Sequence, residues 1–470
     1  MFNFKMAIMY KNYMALSIFF AATYMVNAQE LTLQKALDHA VQNYSKLQVK
    51  QLKTAASKED ISFQKTFLLP NINLMAQQSY GTINAINGPM YAYGGLGSAA
   101  TSMPLAEQNW NAAFGSLYLT NINWDVFTFG KNKNRIETAL YQHQVNQTDY
   151  DQEVFQHQIK VTATYLNLLA SQRIKYVQER NHFRANVVYE TTESRAKSGL
   201  IPEVDASLAQ AEVSAAQSAQ IKAYDKELEF SKQLSVLMGD SFSEFKLDDY
   251  FHKHIPELPS NSISDYSRHP FLAHQQERIN QSTATEKWIK SHKLPTLSAF
   301  GVLQARGSGF DWNYVQNNSA YSSSYLDGIG FDRSNYILGF SIKWNLTDFY
   351  RFSFKEKEQK LLTQSIQKEY QLIQEEVIAQ NALANSQFTN AVRNYKETEV
   401  QLRAASLAFK QHEALYNNGL TTLVDHTQAL YVLNRAEIDY EVALNNVWQA
   451  LLLKAASQGD ISIFTKAITN

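Results

Sequence analysis

The chain has 470 residues, 43 basic and 44 acidic side chains, a formal charge of −1 and no cysteine. The near balance leaves no bulk field for nucleic acid, so no nucleic-acid partner is expected. The missing cysteines exclude disulfides, thiolate metal sites and a lipid-anchored N-terminal cysteine.

Residues 1–28 read as a secretory signal peptide. Lys5 and Lys11 precede the apolar run Met14–Val26, and Asn27-Ala28 supplies small-residue cleavage chemistry before Gln29. That run is too short for a spanning helix, which needs about 20 residues. No later run approaches that length, so a mature chain that enters a membrane must do so as β-strands.

Residues 29–239 form a first repeat: a helix, strands near 70–82 and 114–129, then long helices to 239. Pro70 opens a strand in which Ile72, Leu74 and Ala76 alternate with Asn71, Asn73 and Gln77. The next sets Ile122, Trp124 and Val126 against Asn121, Asn123 and Asp125. One apolar and one polar face suits a membrane barrel wall around a wet lumen, and equally a half-buried soluble sheet. The loop between them carries Tyr93-Gly94-Gly95-Leu96-Gly97, which lacks the lysine of a phosphate-binding loop and reads as surface. The stretch Lys131 to Ser198 then runs 68 residues without glycine or proline and stops at Gly199-Leu200. As one helix it would be roughly 100 Å long. Glycine there ends a helix because it enters the left-handed conformation freely.

A connector, 240–262, holds His252-Lys253-His254 beside Pro256 and Pro259 and reads as a solvated loop. The second repeat, 263–459, has a helix, strands near 295–306 and 335–347, and long helices to 458, before a C-terminal tail of 460–470. The 68 residues from Arg351 to Asn418 likewise contain no glycine or proline and stop at Gly419-Leu420. At an offset of 220, Trp124 falls on Trp344, Phe129 on Phe349, Asp205 on Asp425 and Gly239 on Gly459. This is a duplicated unit.

Aromatic residues close the second strand of each pair: Trp124, Phe127 and Phe129, then Trp344, Phe349 and Tyr350. Lys131, Lys133 and Arg135 follow the first group, and Arg351 and Lys355 lie within or after the second. A girdle with basic residues beyond it matches a membrane interface with anionic lipid head groups. In the helices Phe388, Tyr395, Leu402, Phe409 and Tyr416 lie seven apart, and Leu169, Tyr176 and Phe183 keep the same beat. Few large apolar groups lie on the other faces, which suits helices packed side by side around water better than a large hydrophobic core, with a solid bundle as the alternative. The expected class is mostly α with a membrane β-barrel. No nucleophile elbow, Walker loop or metalloprotease motif appears, so no enzyme, cofactor or metal is expected.

Signal peptide, duplicated strand-pair and helix-pair plan, and the turns Ser198-Gly199-Leu200-Ile201 and Tyr416-Asn417-Asn418-Gly419-Leu420 resemble the TolC-like outer-membrane efflux proteins. The resemblance implies a homotrimer in the outer membrane, projecting into the periplasm. Each protomer would give four strands to a twelve-stranded barrel, and the helices would form a periplasmic α-helical tunnel. It also implies a periplasmic adaptor (membrane fusion protein) at the turns around Gly199, Leu200, Gly419 and Leu420, and an inner-membrane pump behind it. The channel would serve tripartite efflux or type I secretion.

On an ungapped match Asp425 takes the place of a tip aspartate that narrows the channel. Tyr416 and Asp205 match a tyrosine and an aspartate that join across protomers. Gln428 stands where the family has a second aspartate, and Thr421 where it has a linking arginine, so the ionic ring is halved and one lock is missing. Helix-start acids stabilised by the dipole are the plainer account of Asp205 and Asp425, and both accounts hold together. An outer-membrane diffusion porin would need no long helices, and a periplasmic coiled-coil scaffold would need no girdled strands.

Overall fold

The computed structural model describes residues 30–85, 102–256 and 266–469. The signal segment, the Tyr93–Gly97 loop and Pro259 lie outside the described residues. In chain order the elements are α1 (Leu33–Asn43), α2 (Ser45–Thr66), β1 (Asn71–Thr82), β2 (Ala112–Phe127), α3 (Lys131–Lys197) and α4 (Glu203–Met238). Then come α5 (Tyr250–Lys253), α6 (Pro270–Ser291), β3 (Thr296–Ser308), α7 (Tyr325–Gly328) and β4 (Arg333–Lys343). The chain closes with α8 (Leu346–Asn417), α9 (Leu423–Gln458) and α10 (Ser462–Thr469). Among the described residues no helix is long and apolar enough to cross a membrane.

Two compact units result. One comprises Ala56–Gln144 and Arg278–Ser365, and holds the sheet. Among the described residues four strands are antiparallel in the order β1-β2-β3-β4, so two edges stay unpaired there. The ladders put Ile72, Ile122, Gly301 and Leu338 in one row and Leu74, Thr120, Leu303 and Tyr336 in the next. Directly paired residues share a face, and on this face Leu74, Tyr336, Leu338, Phe340 and Ile342 are each at least 74% exposed. The opposite face carries rows such as Asn73, Asn121, Val302 and Ile337, and Met75, Leu119, Gln304 and Asn335. One face is thus apolar and bare while the other mixes amides with apolar residues, whereas a soluble sheet would cover its apolar face.

The fourth strand ends at Lys343, short of the expected 347. Asn345 brings the turn: its Oδ1 accepts from Thr347 N at 3.2 Å and its carbonyl from Asp348 N at 3.1 Å, which starts α8. Phe349 and Tyr350 therefore sit on a helix rather than a strand.

The other unit comprises Met1–Ala55, Val145–Glu277 and Ile366–Asn470. Here the expectation of sparse packing around water needs correction, because the unit has a true core. Trp448, 1% exposed, packs edge-on to Phe251 at 4.9 Å and near Phe464 at 5.7 Å, and its indole N–H donates to the Phe251 carbonyl at 2.9 Å. Leu31 pairs with Leu247, and the Tyr165 hydroxyl donates to the Leu31 carbonyl at 2.7 Å. Phe251 belongs to the connector and Phe464 to the tail, so neither segment is the loose peptide its composition suggests. His252 lies 3.3 Å from Glu441 and is not free in solvent. Replacing Trp448 by alanine removes a filled core position and its hydrogen bond. A loss of about 3–5 kcal/mol is expected, read as a lowered denaturant midpoint of the detergent-solubilised protein. A midpoint like that of the unaltered chain would show that this unit does not limit stability.

The second-repeat heptads are buried as expected, with Phe388, Tyr395, Phe409 and Tyr416 all at 7% exposure or less. The first-repeat beat fails after Leu169, since Tyr176 and Phe183 are 53% and 69% exposed. There the buried stripe instead runs through Val161, Tyr165, Leu168, Val177, Ala185 and Thr192. Small residues toward the end of that stripe let helices approach, and their low apolar contrast hides it from the periodicity.

Candidate functional site

The two helix-ending turns are built alike. Gly199 has φ +73° and Gly419 φ +72°. Leu200 N donates to Arg195 O at 3.0 Å and Gly199 N to Ala196 O at 2.9 Å. Leu420 N donates to Leu415 O at 2.9 Å and Gly419 N to Tyr416 O at 3.0 Å. This double bond pattern satisfies the last helix carbonyls and requires the left-handed residue. Leu200 and Leu420 stand just past it, 74% and 72% exposed.

The restarts differ between repeats. Thr422 caps α9 in a complete capping box with Asp425. The Asp425 carboxylate accepts from Thr422 Oγ1 at 2.6 Å, Thr421 Oγ1 at 3.0 Å and Thr422 N at 3.3 Å, all on Oδ2. The hydroxyls of Thr422 and Thr421 hold it below the usual carboxylate range, so it stays ionised with Oδ1 unused by the box. Pro202 caps α4 and makes no side-chain bond, so Asp205 lacks the threonine partners of its counterpart.

Tyr416 is held inside its own chain. Its hydroxyl is 2.9 Å from Thr192 Oγ1, and Thr192 Oγ1 also donates to Val188 O at 2.7 Å. With one proton on each hydroxyl, Thr192 is the acceptor and Tyr416 the donor. Arg195 donates to Tyr416 O at 3.2 Å and to Asn417 O at 3.0 Å, with its guanidinium 5.3 Å from the Tyr416 ring centroid. His426, 2% exposed, stacks on that ring at 5.2 Å and on Phe409 at 5.5 Å. Sequence reasoning missed Thr192, Arg195 and His426. The only signal was position: Arg195 lies four residues before Gly199, and His426 follows Asp425.

In the strand-bearing unit the girdle residues are exposed, from Trp124 at 43% to Tyr350 at 70%. Each tryptophan is oriented by the turn preceding the first strand of its pair. Trp124 Nε1 donates to Leu68 O at 2.8 Å and Trp344 Nε1 to Lys293 O at 3.0 Å. Phe127 and Phe129 meet edge-on at 4.7 Å, and Lys293 lies 5.3 Å over Phe349. Some of the basic residues first assigned to head groups have partners within the chain. Arg135 donates to Gln64 at 2.7 Å and covers Phe67, and Lys355 pairs with Glu358 at 2.9 Å. Among the described residues no group of three histidines, cysteines or acids could hold a metal.

Residues 36–240 match the model of the outer membrane efflux protein family. No curated protein matches the chain by sequence. Among solved structures the chain is similar to the CmeC outer membrane channel of Campylobacter jejuni, with 15% identity and a TM-score of 0.73 over 91% of this chain and 85% of that one. It is similar to the outer membrane protein VceC of Vibrio cholerae, with 13% identity and a TM-score of 0.71 over 91% and 96%. The open state of the MtrE outer membrane channel of Neisseria gonorrhoeae gives 15% and 0.70 over 91% and 89%. The first repeat thus matches the outer membrane efflux protein family in sequence, and over 91% of its length the chain shares the fold of solved outer membrane channels.

Proposed function

We propose that the chain works as a homotrimeric exit duct, receiving substrate from an inner-membrane pump through a periplasmic adaptor and releasing it across the outer membrane. The observation that carries this is the sheet: four strands with two open edges and one bare apolar face. Unpaired strand edges are not tolerated in lipid, so copies of the chain must complete one barrel. Two copies would give eight strands and three would give twelve; the family resemblance favours three. Exposed apolar residues on the helices, such as Phe183 at 69% and Leu361 at 66%, are further surface that neighbouring copies would cover.

The turns at Gly199-Leu200 and Gly419-Leu420 are assigned to the adaptor, and Tyr416, Asp205 and Asp425 to the gate. Either export system fits, since nothing in the wall selects a cargo. A porin is disfavoured by α8, whose 72 residues have no use in a simple pore. A scaffold is disfavoured by the bare sheet. Fractionation with cross-linking tests the reading: an outer-membrane trimer with heat-modifiable migration is expected. Soluble periplasmic monomer would overturn it.

A further inference from the structure

We propose that His426 makes the helical turns an acid-sensitive latch: neutral, it fills the space between Phe409 and Tyr416 and locks α8 and α9 against α3, and protonation releases them. This goes beyond the gate assignment above and rests on it only for its effect on conduction.

The geometry is a ladder of five groups. Arg184 lies 6.0 Å from the Phe409 ring, Phe409 5.5 Å from His426, His426 5.2 Å from Tyr416, and Tyr416 5.3 Å from Arg195. Both ends are therefore permanent cations. Arg184 is neutralised by a bidentate pair with Glu437, at 3.1 and 2.5 Å. Arg195 is bound only by the carbonyls of Tyr416 and Asn417 among these contacts. A protonated His426 would put a third cation between two rings that already have an arginine within 6.0 Å.

The imidazole has no compensating partner. His426 Nδ1 is buried without a hydrogen bond, so a charged N–H there would be unsatisfied. On α8 the facing titratable groups are His412, which opposes protonation, and Glu413, which favours it. On α9 Asp425 is engaged by Thr421 and Thr422. On α3 Glu193 is engaged by Lys197 and Tyr189. Acids in the first turn of α4, which packs Ala209 near Tyr416, are Glu203 and Asp205. Burial pushes the imidazole below its ordinary value of 6.5. The packed state is then fully stabilised above about pH 6.5 and weakens as pH falls through and below it, by at most about tenfold per pH unit.

The chain lacks cysteine, so one added thiol reports cleanly. Ala185, 2% exposed, lies in the cluster with Phe409, whereas Ser198 is exposed. In the full-length protein, alkylation of Ala185→Cys, normalised to Ser198→Cys, should rise up to about tenfold per pH unit below about 6.5. His426→Phe, which keeps the ring and cannot protonate, should abolish the rise, and His412→Gln should keep it. No acid-driven rise, or one that survives His426→Phe, overturns the latch. If His426→Phe does not fold, NMR titration of labelled histidine in the unaltered chain decides: titration below about 6.5 in step with alkylation supports the latch, and titration above it overturns it. Acid-driven alkylation without a conductance change in bilayers supports the latch and removes the turns from the conduction path.

Discussion

Replacing Leu200 and Leu420 together by aspartate is expected to abolish export while leaving trimer level and membrane insertion intact. Both leucine side chains are largely bare, and the turns use only the backbone N–H of each leucine. Ordinarily the residue after such a turn packs back on the last helical turn, so two unpacked leucines at equivalent places in a duplicated chain point to a partner. Burying a leucine side chain contributes about 1.5–3 kcal/mol. Two turns in each of three protomers would multiply that, and aspartate would add desolvation and charge. The result is read as drug or toxin export from cells alongside trimer quantified in isolated outer membranes. Normal export by the double variant would reject the turns as adaptor contacts. Loss of trimer would mean instead that the leucines hold the assembly together.

How far the sequence alone reaches depends on contrast between faces. The strands were legible because Ile72, Leu74, Trp124 and their counterparts alternate with amides, and because only a two-residue period gives that pattern. The helix ends were legible because Gly199 and Gly419 each close a run of at least 68 residues that has no glycine of its own. The core around Trp448 was not legible, since Phe251 and Phe464 come from segments too short to show any period. The start of α8 was missed because the strand alternation reads on through Leu346, while Asn345 already caps a helix through its own side chain. At the candidate gate, Asp425 could be found by position. The partners that decide what it and Tyr416 do lie elsewhere, at Thr192 on α3 and at Thr421 and Thr422 in the preceding turn.

The gate substitutions should differ in sign, and that follows from counting protons. Tyr416 has a single hydroxyl proton, and the contact geometry gives it to Thr192, because the Thr192 proton goes to Val188 O. A bond from Tyr416 to Asp205 of a neighbouring protomer, which the family resemblance implies, needs that same proton. The two bonds would exclude each other, and so would belong to two states of the turn. Tyr416→Phe removes both and Asp205→Ala removes only the link between protomers; each should raise single-channel conductance in planar bilayers. Thr192→Val, nearly isosteric, removes only the bond within the chain and releases Tyr416 to reach the neighbour, so it should lower conductance. A hydrogen bond to a charged group contributes about 1.5–3 kcal/mol against about 0.5–1.5 for a neutral one. Three protomers acting together would shift the closed-open balance by orders of magnitude for Asp205→Ala and less for Thr192→Val. Asp425→Asn should act separately, weakening block by divalent cations, since Oδ1 stays unused by the capping box and three ionised copies around one axis favour a bound cation. Thr192→Val raising conductance as much as Tyr416→Phe would show that the bond within the chain is itself what holds the turn closed.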